Sequence, residues 1–155
     1  HPDDLLFSFY LGDVAMGQKN YPLAESRYQA VLKLSPEHPL SLNNVAWLMM
    51  AQKKPGALDF AERAVRAAPD RAPLLDTLAQ ALALENQLPK ALDIQKRAIT
   101  LQPDDPGLRL SLAKLYAQAG DKKLAKIELD RLAVMGDRFA GQDEVSALLK
   151  SLGGR

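Results

Sequence analysis

An all-α solenoid of about four stacked helical hairpins, closed by a further helix at its C-terminal end, is the fold this sequence predicts, and three observations predict it. Prolines in similar settings, Pro2, Pro36, Pro69 and Pro103, are separated by 34, 33 and 34 residues, a period of about 34. Ala24, Ala57, Ala91 and Ala125 keep the same step, at 33, 34 and 34 residues. Within each period two stretches place apolar residues three and four apart, the spacing of an amphipathic helix rather than a strand.

The period divides the chain into units of about 5–37, 38–71, 72–105 and 106–136. Residues 1–4 come first: Pro2-Asp3-Asp4 repeats the proline-acid linker and reads as the tail of a preceding repeat, so the chain is expected to belong to a longer array. One residue is missing between Val45 and Ala57, most simply in the turn Lys53-Lys54-Pro55-Gly56, where a deletion should disturb no packing. The third unit shows the hairpin most plainly. Its first helix presents Leu75, Leu78, Ala79 and Leu82, Glu85-Asn86-Gln87 forms the turn, and the second helix presents Ala91, Ile94, Ala98, Ile99 and Leu101. A lone hairpin of this kind leaves apolar surface wet and needs a stacked neighbour. The recurring alanines let paired helices approach closely. Each proline stops the helix before it, because the ring lacks an N–H and disfavours helical geometry in the preceding residue. Acids beside those prolines, as in Pro69-Asp70 and Pro103-Asp104-Asp105, suit the start of the next helix. After Met135-Gly136-Asp137 the period lapses. Residues 137–155 are expected to form a capping helix and tail, with Asp143 as cap, Val145, Leu148, Leu149 and Leu152 on one face over the last repeat, and Gly153-Gly154 ending the chain.

Composition excludes several functions. Twenty basic residues against nineteen acidic ones leave a net charge of +1, far from the basic surface with which nucleic-acid binders displace counterions, so no nucleic-acid partner is expected. There is no cysteine, and His1 and His38 cannot assemble a zinc site. The longest apolar run, Val45 to Ala51, is far short of the ~20 residues a membrane span needs. Asp3-Asp4 and Asp104-Asp105 have too few oxygens at alternating positions for a calcium loop and read as helix caps. Lys122, Lys123, Lys126 and Arg131 are interleaved with Glu128 and Asp130, as on a solvated helix face. With no phosphate loop, nucleophile elbow or catalytic triad pattern, neither an enzyme nor a cofactor is expected.

The residues resemble the tetratricopeptide repeat, whose pattern is a bulky first residue, Leu-Gly, Tyr, then Ala, an aromatic and Pro. The first unit carries it through Leu11-Gly12, Tyr21, Ala24, Tyr28 and Pro36, the second through Val45-Ala46, Ala57, Ala61 and Pro69. The third has Leu78-Ala79, Ala91 and Pro103, and the fourth Leu112-Ala113, Tyr116, Gly120-Asp121, Ala125 and Leu129. Ser8 and Arg109 depart from it at the bulky position, and no proline closes the fourth unit. The resemblance covers residues 5–136 and implies a right-handed superhelix whose first helices line a concave groove for a protein or peptide partner.

By register, the groove positions are Leu6, Phe9, Asp13 and Met16, then Leu40, Asn43, Asn44, Trp47 and Met50, then Asp76, Gln80, Ala83 and Leu84, then Leu110, Lys114 and Gln118. Trp47 is either a binding anchor or packing against the neighbouring hairpin. Asn44 either bonds a ligand backbone or ties the interhelical turn. Met16 and Met50 supply an adaptable surface or fill gaps. A clamp for a C-terminal carboxylate is not expected, because its places hold Phe9, Asp13, Asn44, Pro73 and Thr77, of which only Asn44 fits. More narrowly, Asn43-Asn44-Val45-Ala46-Trp47-Leu48, Leu75-Asp76-Thr77-Leu78 and the stretch from Ala119-Gly120-Asp121 to Leu148-Leu149-Lys150 resemble the C-terminal repeats of bacterial PEP-CTERM/exosortase-associated lipoproteins. That resemblance implies a lipid-anchored, periplasm-facing scaffold linked to exopolysaccharide production or protein sorting; without it a cytoplasmic setting is expected. The alternative to a binding module is a spacer and cap for an array whose binding surface lies upstream.

Overall fold

A computed structural model describes residues 2–153, and these are helical apart from short connectors and one 3-10 turn. The helices run α1 (Pro2–Gly17), α2 (Tyr21–Leu34), α3 (Pro39–Ala51), α4 (Ala57–Ala67), α5 (Ala72–Leu84), α6 (Leu88–Leu101), α7 (Pro106–Gln118), α8 (Lys122–Ala133) and α9 (Gln142–Gly153). Successive helices pack on one another, and α5 also touches α3 and α7, which lines the first helices of the hairpins along one side of a solenoid. The expectations for His1 and Gly154 lie outside the described residues. Pro2-Asp3-Asp4, read from sequence as a connector, are instead the first turn of α1. A proline is tolerated there because the first N–H groups of a helix have no intrahelical acceptor. No helix of the described residues is long and apolar enough to cross a membrane.

Every hairpin turns on the same backbone device. Lys19, Lys53, Asn86 and Gly120, each two residues past the end of a first helix, have φ of 57°, 56°, 58° and 82°. The next residue then donates its N–H back across the turn, Asn20 to Ala15 O at 2.8 Å, Lys54 to Met49 O at 2.8 Å, Gln87 to Leu82 O at 2.9 Å and Asp121 to Tyr116 O at 2.9 Å. This is the Schellman closure of a helix C-terminus. It fixes the missing residue of the second unit just after Lys54, inside the expected turn. The deletion shortens the second helix of that unit, while Ala57, Ala61 and Ala64 remain buried. Pro55 and Gly56 stand where the first unit has Tyr21, Pro22 and Leu23, Gly56 adopts φ 96°, and α4 starts late, with 11 residues against 14 in α2 and α6. A hollow of 300 Å³ lies beside Met50, Pro55, Leu58 and Leu84.

The recurring alanines are at the helix contacts: Ala24, Ala91 and Ala125 are fully buried and Ala57 nearly so. Gly12 allows the closest approach, since a Cβ there would stand 2.5 Å from the Tyr28 ring. Arg109, at a position where the repeat pattern wants bulk, instead bridges to Glu128 of α8 at 2.7 Å. Val145, Leu148, Leu149 and Leu152 of α9 pack on Leu110, Ala113, Leu129 and Leu132, covering the last hairpin as expected. Asp143 lies within the first turn of α9.

Caps satisfy the exposed N–H groups at the starts of α2, α3, α7 and α8, through Asn20, His38, Asp105 and Asp121. Asp70, expected to cap α5, does not; Arg71 holds that place without a side-chain bond. His38 is an unusual cap: its Nδ1 accepts the Ser41 N–H at 3.2 Å and lies 2.9 Å from the Ser41 hydroxyl. Only the neutral ring can accept there, and burial holds the His38 pKa below the usual histidine value. The folded pKa is thus below the unfolded one, so the stability this cap contributes is present above about pH 6.5 and lost as pH falls through the folded pKa. Thermal melts from pH 7.5 down to 5 should show a decline that is shallower in His38→Asn, whose cap does not titrate, by up to about 1 kcal/mol at the acid end. Parallel curves for the two proteins would mean the acid loss arises elsewhere.

Candidate functional site

The first helices present a continuous inner strip. Where α3, α5 and α7 meet, Met50, Gln80, Ala83, Leu84, Lys114 and Gln118 surround a hollow of 240 Å³, and Ser111 and Leu115 complete it. A second hollow of the same volume joins Trp47, Met50 and Ala51 of α3 to Gln80 of α5. Trp47 is 37% exposed and Leu84 63%. Trp47 rests its ring edge-on against Tyr21 at 5.9 Å, so packing with the neighbouring hairpin and exposure toward the hollow coexist in one residue.

Several of the residues assigned to the groove by register are engaged inside the protein. Phe9 stacks on Tyr28 at 5.8 Å and on His38 at 5.3 Å, and Met16 and Leu40 pack against the same core. Leu110 is 7% exposed in the core beneath α9, so it does not line an open surface. Leu6 is 52% exposed at the N-terminal end of the strip.

The polar residues form ties between helices. The Tyr28 hydroxyl donates to Asp13 Oδ1 at 2.7 Å, and Asn44 Nδ2 donates to the same oxygen at 3.4 Å. Asn43 in turn donates to Asn44 Oδ1 at 3.4 Å. The Asn44 amide thus joins α3 to α1. Burial, followed by the Asp13 carboxylate, pushes the Tyr28 pKa well above the usual tyrosine range, so the phenol stays a donor. Asp76, expected to face the groove, lies between helices: its carboxylate accepts from Gln80 Nε2 of its own helix and Gln95 Nε2 of α6, each at 2.7 Å, and also from Ser111 of α7. Burial raises the Asp76 pKa against these bonds. Gln95, fully buried, also donates to Leu108 O at 2.9 Å, so one amide nitrogen serves two acceptors on two helices. Lys114 meets Glu144 of α9 at 2.6 Å, and Gln118 Nε2 donates to Ala83 O at 3.3 Å.

Gln95 is detectable in sequence as a polar residue on the otherwise alanine face of α6, between Ala91 and Ala98. Ser111 and Glu144 carry no such signal. No group of three or more His, Cys, Asp or Glu able to hold a metal occurs among the described residues.

The tetratricopeptide repeat family model matches residues 1–39 and 9–72. No curated protein sequence matches the chain. Solved structures with the same fold include TTC0263, a thermophilic repeat protein of Thermus thermophilus, with a TM-score of 0.80, 19% identity, and coverage of 96% of this chain and 83% of that one. A MamA fragment from Desulfovibrio magneticus aligns with a TM-score of 0.73 at 22% identity, covering 90% and 80%. A chain of the APC/C hetero-tetramer Cut9-Hcn1 aligns with a TM-score of 0.84 at 20% identity over 97% of this chain but 30% of its own length. At these identities the likeness is one of fold.

Proposed function

Because the chain is a tetratricopeptide-repeat protein, we propose that it is a scaffold holding a segment of a partner protein on the inner face built by α3, α5 and α7. The observation that carries this reading is the pair of adjoining hollows with Trp47, Met50 and Leu84 on their walls: apolar side chains left in solvent where three helices converge. Burying such residues is where binding free energy concentrates, commonly about 2 kcal/mol or more for a tryptophan anchor. The reading is of a binding module rather than an enzyme, since the Asp76 carboxylate is held by the Gln80 and Gln95 amides and the Tyr28 hydroxyl is held by Asp13. The narrower lipoprotein reading is supported by Asn43 to Leu48, Leu75 to Leu78 and the closing segment from Ala119, and under it the scaffold serves exopolysaccharide production or protein sorting.

Affinity capture from the source organism's extract, using the chain beside a Trp47→Ala/Leu84→Ala variant, tests the proposal. The partner retained by the parent should bind the variant about thirtyfold or more weakly, while circular dichroism shows the helices intact. Capture unaffected by both substitutions, or no capture by either protein, favours the spacer and cap role.

A further inference from the structure

The charges along the inner strip are unevenly satisfied. Its register positions carry the carboxylates of Asp13 and Asp76 against the single ammonium of Lys114. Lys114 is neutralised by Glu144, and both oxygens of Asp76 are occupied by the Gln80 and Gln95 amides. Asp13 differs. It is exposed, and no cationic side chain among the described residues pairs with it. Its position is nevertheless fixed, because Tyr28 from α2 and Asn44 from α3 both donate to Oδ1.

On α3, Asn44, which holds Asp13, lies three residues before Trp47, and Trp47 three before Met50, so the carboxylate is tied to the helix whose next turns wall the apolar hollows. A partner segment docking there removes water from an ionised group. That is unfavourable unless the segment brings a counter-charge, and repulsive if it brings another acid. The preference is local, since the chain as a whole carries a net charge of +1.

We infer that the segment taken by the inner face is basic as well as apolar: a lysine or arginine of the partner pairs with Asp13 while neighbouring apolar side chains cover Trp47, Met50 and Leu84. The 300 Å³ hollow at the start of α4 shares Met50 and Leu84 with the strip and gives one of those apolar groups room. This rests on the proposed binding role of the same face.

A library of random displayed peptides, selected on the full chain and on Trp47→Ala and Asp13→Asn variants, tests it. The amide introduced by Asp13→Asn keeps an oxygen to accept from Tyr28 and Asn44, so the fold is retained, which circular dichroism checks. The parent should enrich peptides with lysine or arginine beside large apolar residues. Synthetic copies should bind Asp13→Asn about fivefold more weakly and weaken with added salt. Trp47-dependent peptides that are neutral or acidic, or that bind Asp13→Asn as well as the parent, would overturn the basic preference while leaving the binding face in place. Failure to select any Trp47-dependent peptide would sink both.

Discussion

Tyr28→Ala is expected to destabilise the chain by about 3–5 kcal/mol, a large part of the roughly 5–15 kcal/mol available to a domain of this kind. Among the described residues Tyr28 is the largest fully buried side chain, in one core cluster with Ala15, Ala24, Leu42 and Leu48 and met by the tilted ring of Phe9. Its ring lies over Gly12, so close that a methyl group on Gly12 would overlap it. Truncation therefore opens a cavity where α1 crosses α2, and the rigid glycine backbone cannot collapse to fill it. Tyr28→Phe separates the hydroxyl from the ring and should cost about 1 kcal/mol, because Asp13 is exposed and water replaces the lost donor. In a solenoid, contacts run between neighbours, so the alanine variant should lose its first hairpin before the rest. Denaturant melts would then broaden into two steps, with hydrogen exchange accelerating first in α1 and α2. A single sharp transition with a stability close to the parent's would contradict the packing argument.

The sequence shows the helical period, the hairpins and the capping helix because these depend on local spacing: a proline that cannot continue a helix, an alanine where two backbones meet, an apolar stripe. The same spacing puts Trp47, Met50, Gln80, Leu84, Lys114 and Gln118 on facing sides of α3, α5 and α7, where they line two adjoining hollows. Register states which way a side chain leaves its helix and is silent about what waits for it from elsewhere in the chain. Asp13 meets Tyr28 and Asn44, Asp76 meets Gln95, and Lys114 meets Glu144, all through tertiary contacts that only stacking creates. Leu110 shares the period of Phe9 and Asp76 and so belongs by register to the open strip; it is buried because α9, which breaks the period, lies over it. Counting locates the deletion near Lys54, but its effect is legible only in the backbone: Gly56 at φ 96° starts α4 where its sisters have completed a turn.

The polar tie at Asp76 gives the second large effect. Asp76→Ala should cost about 2–4 kcal/mol, because it leaves Gln95, fully buried, with an unanswered amide donor and removes the acceptor for Gln80 and Ser111. Gln95→Ala should cost a similar amount: it strips the carboxylate of one donor and Leu108 O of its side-chain bond, and it opens space between α5, α6 and α7. Since each substitution breaks the same bond, the double variant should fall well short of the sum, with a coupling of about 1–2 kcal/mol in a double-mutant cycle. The pH response supplies an independent check. Burial raises the Asp76 pKa above its unfolded value, so its contribution is most favourable below the unfolded pKa and declines as pH rises through the folded one. The difference in stability between parent and Asp76→Ala should accordingly shrink as pH climbs out of the acid range. Additive losses, or a difference that grows across that interval, would mean that Asp76 acts through its own packing and that α5, α6 and α7 are held in register by their apolar contacts alone.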